Sequence, residues 1–223
     1  MASILYLDIE TAPADPTTWT PKEEPTAPAT YKDADKIAAY VAEKRAELHG
    51  RTGLDSHAGR LLCVGFAIND GPVTVAYDES LSNPRPLLDA LADAFNEARK
   101  IEKGGKVSAC GHNIAGFDAP WLWRLAVKHQ HRLANLIPYR RWGDGLIDTM
   151  AMWSATNPRE MVGLGRIAEF LGIGSKDEGM DGSKVWPAYQ LGQHDRIKHY
   201  CAQDVELVRH AYQRMVDPDP IGF

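Results

Sequence analysis

The sequence predicts an α/β domain with strands at its centre and helices around them. Three observations predict it. An apolar run, ILYLDIE at residues 4–10, reads as a buried strand; residues 60–68 and 73–77 read as a second pair of strands joined across Asn69-Asp70-Gly71; and a long amphipathic helix covers residues 197–215.

The first strand ends on two acids. Side chains alternate along a strand, so Asp8 and Glu10 project from the same face near its C-terminal end. Two carboxylates so close repel each other unless a cation lies between them. A strand end entering solvent also accounts for this pair taken alone, and both readings stand at this point.

Residues 12–59 form an insert before the second strand. Its first part carries five prolines between Pro13 and Pro28, which favour extended chain. Asp33 then caps a helix predicted to Leu48, with Ile37, Tyr40, Val41 and Leu48 on one face and Gly50 as its stop. Because the insert leaves directly from Glu10 and Thr11, it starts beside the acids. It can act as a lid or substrate wall, but packing against the sheet is the default expectation.

The Asn-Asp-Gly sequence is a strong hairpin signal. Residues 87–101 follow as a helix closed by Gly104-Gly105, and residues 106–110 as another short strand. The segment GHNIAGFDAPWL then opens a helix, with Asp118 placed to cap it and Pro120 near the first helical position. Capping alone explains the aspartate. It does not explain Asn113, Gly116 and Phe117, which set an amide and an aromatic face beside the same carboxylate. Residues 146–153 and 164–171 read as short helices, and 172–182 as a Gly-rich loop.

In the last helix, Ile197, Cys201, Val205, Val208, Tyr212 and Met215 form a single apolar stripe, with Asp195 as its N-cap. Tyr200 and Asp204 are four apart and share one flank, so they can reach a common point. A lone tyrosine beside a core stripe is usually core, and a lone aspartate on a helix is usually solvated; the pair gains meaning beside the other acids.

At these residues a family resemblance emerges. LDIET, HNIAGFDAPWL and YCAQDV resemble the three motifs of the DEDD superfamily of 3′–5′ exonucleases, over roughly residues 3–215. The resemblance implies a ribonuclease H-like mixed sheet flanked by helices. It implies that Asp8, Glu10, Asp118 and Asp204 hold two divalent cations, Mg²⁺ or Mn²⁺, with Asp8 bridging the two, one cation acidifying a water and the other stabilising the leaving 3′ oxygen. Hard oxygen donors suit these ions rather than zinc. The superfamily divides by whether a Tyr four before the last Asp, or a His five before it, handles the attacking water, and this chain offers Tyr200 and His199. Positions five apart on a helix diverge by about 140°, and the apolar stripe already begins at Ile197, so Tyr200 is favoured and His199 is the alternative. GMDGSKVWPAYQLG with IKHYCAQDV is also similar to the predicted family-B-polymerase-like exonucleases of bacteria and phages, where the Tyr form is usual. Thr11, Asn113 and Phe117 are the expected substrate contacts. Asp148, in LIDTMAMW, matches an acid that is not a primary metal ligand in the superfamily and is read as structural.

The expected substrate is the 3′ end of single-stranded nucleic acid, with DNA favoured over RNA. The rival readings are an exoribonuclease of the same fold and a non-catalytic nucleic-acid-binding or partner-binding domain that has kept it. Composition agrees with the main reading. A chain of 223 residues is predicted to be one domain, 1–223 with the 12–59 insert, and no stretch is apolar enough to span a membrane. A strand begins too early for a signal peptide, and the chain ends soon after the third motif, so a proofreading role is expected to need a separate polymerase chain. Cys63, Cys110 and Cys201 lie in apolar contexts without CxxC spacing and read as reduced core residues of a cytoplasmic protein. A net charge of −5 argues against an extended basic face, yet two divalent cations offset the four acids, and an enzyme gripping only a strand's last nucleotides needs no such face. Arg140, Arg141, Arg159, Lys176, Lys184 and Lys198 read as ordinary surface charges.

Overall fold

The computed structural model describes residues 3–103, 105–140, 144–155, 157, 160–175 and 179–217. Strand β1 (Ser3–Ala12) is the middle of a five-stranded sheet. On one side it pairs antiparallel with β2 (Arg60–Ile68), which pairs antiparallel with β3 (Thr74–Tyr77). On the other it pairs parallel with β4 (Val107–Gly111), which pairs parallel with β5 (Leu146–Asp148). The sheet is therefore mixed, as a ribonuclease H-like fold requires.

Alternation along β1 divides the molecule. Leu5, Leu7 and Ile9 face a core closed by α2 (Arg85–Ile101) and α3 (Asp118–Lys128), which contribute Leu88, Leu91, Phe95, Trp121 and Leu122. Each such side chain, fully buried, stabilises the fold by roughly 1.5–3 kcal/mol. On the other face Tyr6 joins α5 (Leu164–Leu171) and α7 (His194–Val216) in a second cluster. Ala12, Leu62 and Cys63 join α6 (Gly182–Gln190) and the start of α7 in a third. Asp8 and Glu10 lie on β1 between Tyr6 and Ala12, in the gap between these two clusters.

The β1–β2 ladder slips between Glu10 and Thr11: Glu10 opposes Cys63 and Thr11 opposes Leu61, leaving Leu62 as a bulged residue. Leu62 and Cys63 consequently both turn toward α6 and α7. Such bulges re-aim side chains and twist a strand locally. The hairpin turn is pinned from α7, since the Arg209 guanidinium donates to the carbonyls of Asn69 (3.2 Å) and Gly71 (2.6 Å).

Two expectations are corrected, and one helix is added. Residues 146–153 are not one helix: Leu146–Asp148 forms β5, pairing with Ala109–Gly111, and only then does α4 (Thr149–Ser154) begin. A three-residue strand is too short for its period to be read. Helix α6 rises at the end of the predicted loop, capped by Asp181, which accepts from the Ser183 N–H at 2.9 Å. Pro187 inside it obscures the helical pattern in the sequence. The insert helix, α1 (Ala34–Arg51), is capped by Asp33 as expected but continues through Gly50, because the 3₁₀ turn that follows (Thr52–Leu54) stays right-handed. None of its residues is buried, so α1 does not pack against the sheet. One further detail differs. Helix α7 starts at His194 with Asp195 in its first turn rather than at its cap, and Gly104 lies outside the described residues. All three cysteines are free and buried, and no helix among the described residues is long and apolar enough to cross a membrane.

Candidate active site

The site forms where α7 crosses β1. Asp8 and Glu10, projecting from one face of the strand, meet Asp204 from the helix, and one carboxylate oxygen from each lies within 4.8 Å of the others. Glu10 is 8% exposed and Asp204 5%, whereas Asp8 is half-buried. Three carboxylates confined this closely repel one another, and a divalent cation relieves that cost. The donor set is all hard oxygen, which suits a cation of the Mg²⁺ or Mn²⁺ type.

Gly65 makes the approach of α7 possible. It pairs with Asp8 across the ladder, and a Cβ at this position would stand 2.9 Å from Cys201 Sγ and 3.0 Å from Val205 Cγ2. With only hydrogen there, α7 lies almost against the sheet, and Cys201 Sγ reaches the Asp8 carbonyl at 3.8 Å. A glycine inside a buried strand run, LLCVGFAI, is the signal that marks such a contact in the sequence.

Tyr200 points inward and is 3% exposed, while His199 is exposed on the outer side of α7. The helix runs through both, so the five-residue spacing keeps His199 away from Asp204. The Tyr200 hydroxyl is hydrogen-bonded to Asp204. Burial first, then the charges of Asp204, Glu10 and Asp8, holds the phenol well above its ordinary value. Tyr200 therefore keeps its hydroxyl hydrogen.

Asp118 sits apart from the three-acid cluster. It does not cap α3, whose cap is Phe117 without a side-chain hydrogen bond. Instead its Oδ1 accepts from the Ile9 N–H of β1 at 3.2 Å. The β4 ladder reaches only Tyr6 on β1, so Asp118 satisfies the strand edge beyond it. Burial, aided by the charges of Asp148 and Asp204 and opposed by backbone N–H donors, pushes its pKa up to about 7. Asp118 and Asp204 thus feel each other's field, although only Asp8, Glu10 and Asp204 converge closely.

The loop carrying Asp118 is organised by Asp148, read as structural from the sequence. Its carboxylate accepts from the N–H groups of Asn113 (3.0 Å) and Ala115 (3.1 Å), and also from Met150 (3.0 Å) and Ala151 (3.3 Å) at the start of α4. One side chain thus caps a helix and folds the neighbouring loop, in which Asn113 adopts a left-handed backbone (φ 59°). Phe117 is half-buried against the α2–α3 core. The Thr11 hydroxyl donates to the Gly53 carbonyl at 2.7 Å and ties β1 to the insert. Of the basic groups, Lys184 pairs with Asp181 (3.1 Å), Lys198 with Asp195 (2.5 Å), and Arg140 lies over the Tyr139 ring; Arg141, Arg159 and Lys176 lie outside the described residues.

Residues 112–216, just under half of the chain, match a family described as a predicted 3′-5′ exonuclease related to the exonuclease domain of PolB. Among solved structures, the chain is similar to the family B DNA polymerase of the hyperthermophilic archaeon Pyrobaculum calidifontis. The two superpose with a TM-score of 0.62 at 17% identity, over 98% of this chain and 25% of that one. The chain has a ribonuclease H-like α/β fold like that of the matched part of the polymerase. It spans a quarter of the polymerase's length, so the likeness concerns the fold of one part of that protein. No curated protein sequence matches. The region that matches the family model holds Asp118, Tyr200 and Asp204, and β1, before it, holds Asp8 and Glu10.

Proposed function

We propose that the chain is a metal-dependent 3′–5′ exonuclease that releases nucleotides from the 3′ end of single-stranded DNA, working as one domain with an insert at 12–59. The observation that carries this reading is the convergence of Asp8, Glu10 and Asp204 beneath a hydrogen-bonded Tyr200. In this reading the three acids, together with Asp118 at the Ile9 N–H, would hold two Mg²⁺ or Mn²⁺ ions. Bound there, the ions supply Lewis acidity for phosphodiester hydrolysis and offset the charge that builds up on the phosphate.

The residues divide the remaining work. Asp8 and Glu10 present their oxygens from a rigid, bulged strand, and Asp204 from a helix held close by Gly65. Tyr200, a permanent donor, orients the attacking water beside Asp204. The Asp148-ordered loop presents Asn113 and Phe117 to the terminal nucleotide, and Thr11 fixes the insert along the site's border. Terminal bases must unstack to enter, which favours single strands.

Incubating 3′- and 5′-labelled single-stranded DNA and RNA with and without Mg²⁺ tests the reading, with circular single-stranded DNA as control. Mononucleotides released from the 3′ end of DNA only when Mg²⁺ is present support it. Preference for RNA makes the chain an exoribonuclease, rapid cutting of the circle makes it an endonuclease, and binding without hydrolysis makes it a non-catalytic domain.

A further inference from the structure

The insert and α6 meet in a row of aromatic rings. The His49 ring lies 5.1 Å from Trp19 and 6.3 Å from Trp186, both at steep angles, and Trp186 stacks on Tyr189 at 5.1 Å with an interplanar angle of 13°. All four rings are half-buried, each leaving part of its surface to solvent. The row is anchored to β1's exit, where His49 Nε2 is hydrogen-bonded to the Ala14 carbonyl at 2.9 Å and Thr52 Oγ1 accepts from the Ala14 N–H at 2.8 Å. Its other end packs on the cluster that contains Ala12 and Tyr200. The row is therefore tied to the chain at Ala14, four residues after Glu10, and lies across one apolar cluster from Tyr200. The α1 helix that delivers His49 buries none of its own residues, so its part in the fold is to carry this ring and the turn that follows.

We propose that Trp19, His49 and Trp186 form a stacking wall for the bases of a single strand whose 3′ end lies at the acid cluster. This rests on the exonuclease reading and names how the strand behind the reacting end is held. Aromatic faces grip single strands without reading sequence, because every base has a π-face. A chain with a net charge of −5 gains from such a grip, because its overall charge opposes the phosphates of the strand. The wall thereby sets a preference for strand length rather than for base identity.

The test compares the full chain with Trp186→Leu and, separately, Trp19→Leu, whose position in the exposed insert spares the core. The ratio of KM for the dinucleotide dTpdT to KM for a twelve-residue oligothymidylate is measured with Mg²⁺. Binding of oligothymidylate and oligouridylate is measured in EDTA by tryptophan fluorescence. The wall predicts that the KM ratio falls about tenfold in each variant, and that oligonucleotide binding in EDTA weakens by a similar factor. Unchanged ratios and unchanged binding in both folded variants overturn it while leaving the exonuclease reading intact. Should the wild type hydrolyse nothing, that reading fails, and the wall is judged on binding: no quenching by either oligonucleotide overturns it. A dimer broken by Trp19→Leu, without oligonucleotide binding, assigns the row to a contact between copies and overturns it too.

Discussion

Substituting Asp118 by Asn probes the electrostatics of the site without touching its three-acid centre. In the folded chain burial lifts the Asp118 carboxyl from 3.8 to about 7. The sign follows from linkage: the folded state disfavours the ionised form, so this group costs stability as pH rises from the unfolded value toward the folded one, and the cost is complete above about pH 8. A shift of about three units is worth about 4 kcal/mol at 1.36 kcal/mol per unit. Asn removes the charge and keeps an oxygen to accept from Ile9 N–H, but its amide N–H₂ needs a partner at about 1 kcal/mol. In EDTA at pH 8, Asp118→Asn is therefore expected to be about 2–3 kcal/mol more stable than the wild type, with the gap closing as pH falls to 4. Urea unfolding at pH 4, 6 and 8 measures it. A variant no more stable than the wild type at pH 8, or a gap independent of pH, would refute the view that this carboxylate is held ionised at a cost. Mg²⁺ should reverse the order, stabilising the wild type more.

Four further outcomes follow from the same geometry. Asp8→Ala and Asp204→Ala should each abolish hydrolysis while circular dichroism and melting show an intact fold, because each removes a repelling charge from the metal-free cluster; full activity in either sinks the site. Tyr200→Phe should lower the rate about 10²-fold or more and His199→Ala only slightly, since Tyr200 alone faces the acids; the opposite pattern in paired rate measurements would reassign the role. Gly65→Ala should push α7 off β2, costing about 1–3 kcal/mol in urea unfolding and a larger share of activity, because Asp204 and Tyr200 move with the helix. Asp148→Ala leaves four N–H groups without their acceptor and should cost about 2–4 kcal/mol, with partial recovery in Asp148→Asn; thermal melts of the pair check this.

How much was legible in advance depended on the range of the interaction that decides each feature. Asp8 and Glu10 share a face because a strand alternates, and Tyr200 and Asp204 share a flank because a helix repeats every 3.6 residues; both follow from local geometry, and sequence spacing is enough. The phase that excludes His199 is of the same kind. The hairpin at Asn69–Gly71 and the Asp33 cap are likewise local chemistry, as is the 164–171 helix. Other features are set by contacts between distant segments, which no window of sequence contains. Asp118 was suited to cap its own helix, but the free edge of β1 offered the Ile9 N–H, and a buried donor without a partner costs more than an uncapped helix end. β5 exists only because β4 offers it a ladder, and Asp148 holds both the Asn113 loop and the start of α4 because tertiary packing brings four N–H groups to one carboxylate. The exposed α1 and the aromatic row beside it also belong to this second class. The apolar spacing is enough to predict the helix, but only the tertiary structure decides that its His49 meets Trp186 of α6 and the Ala14 carbonyl at the exit of β1, because those contacts join segments far apart in sequence.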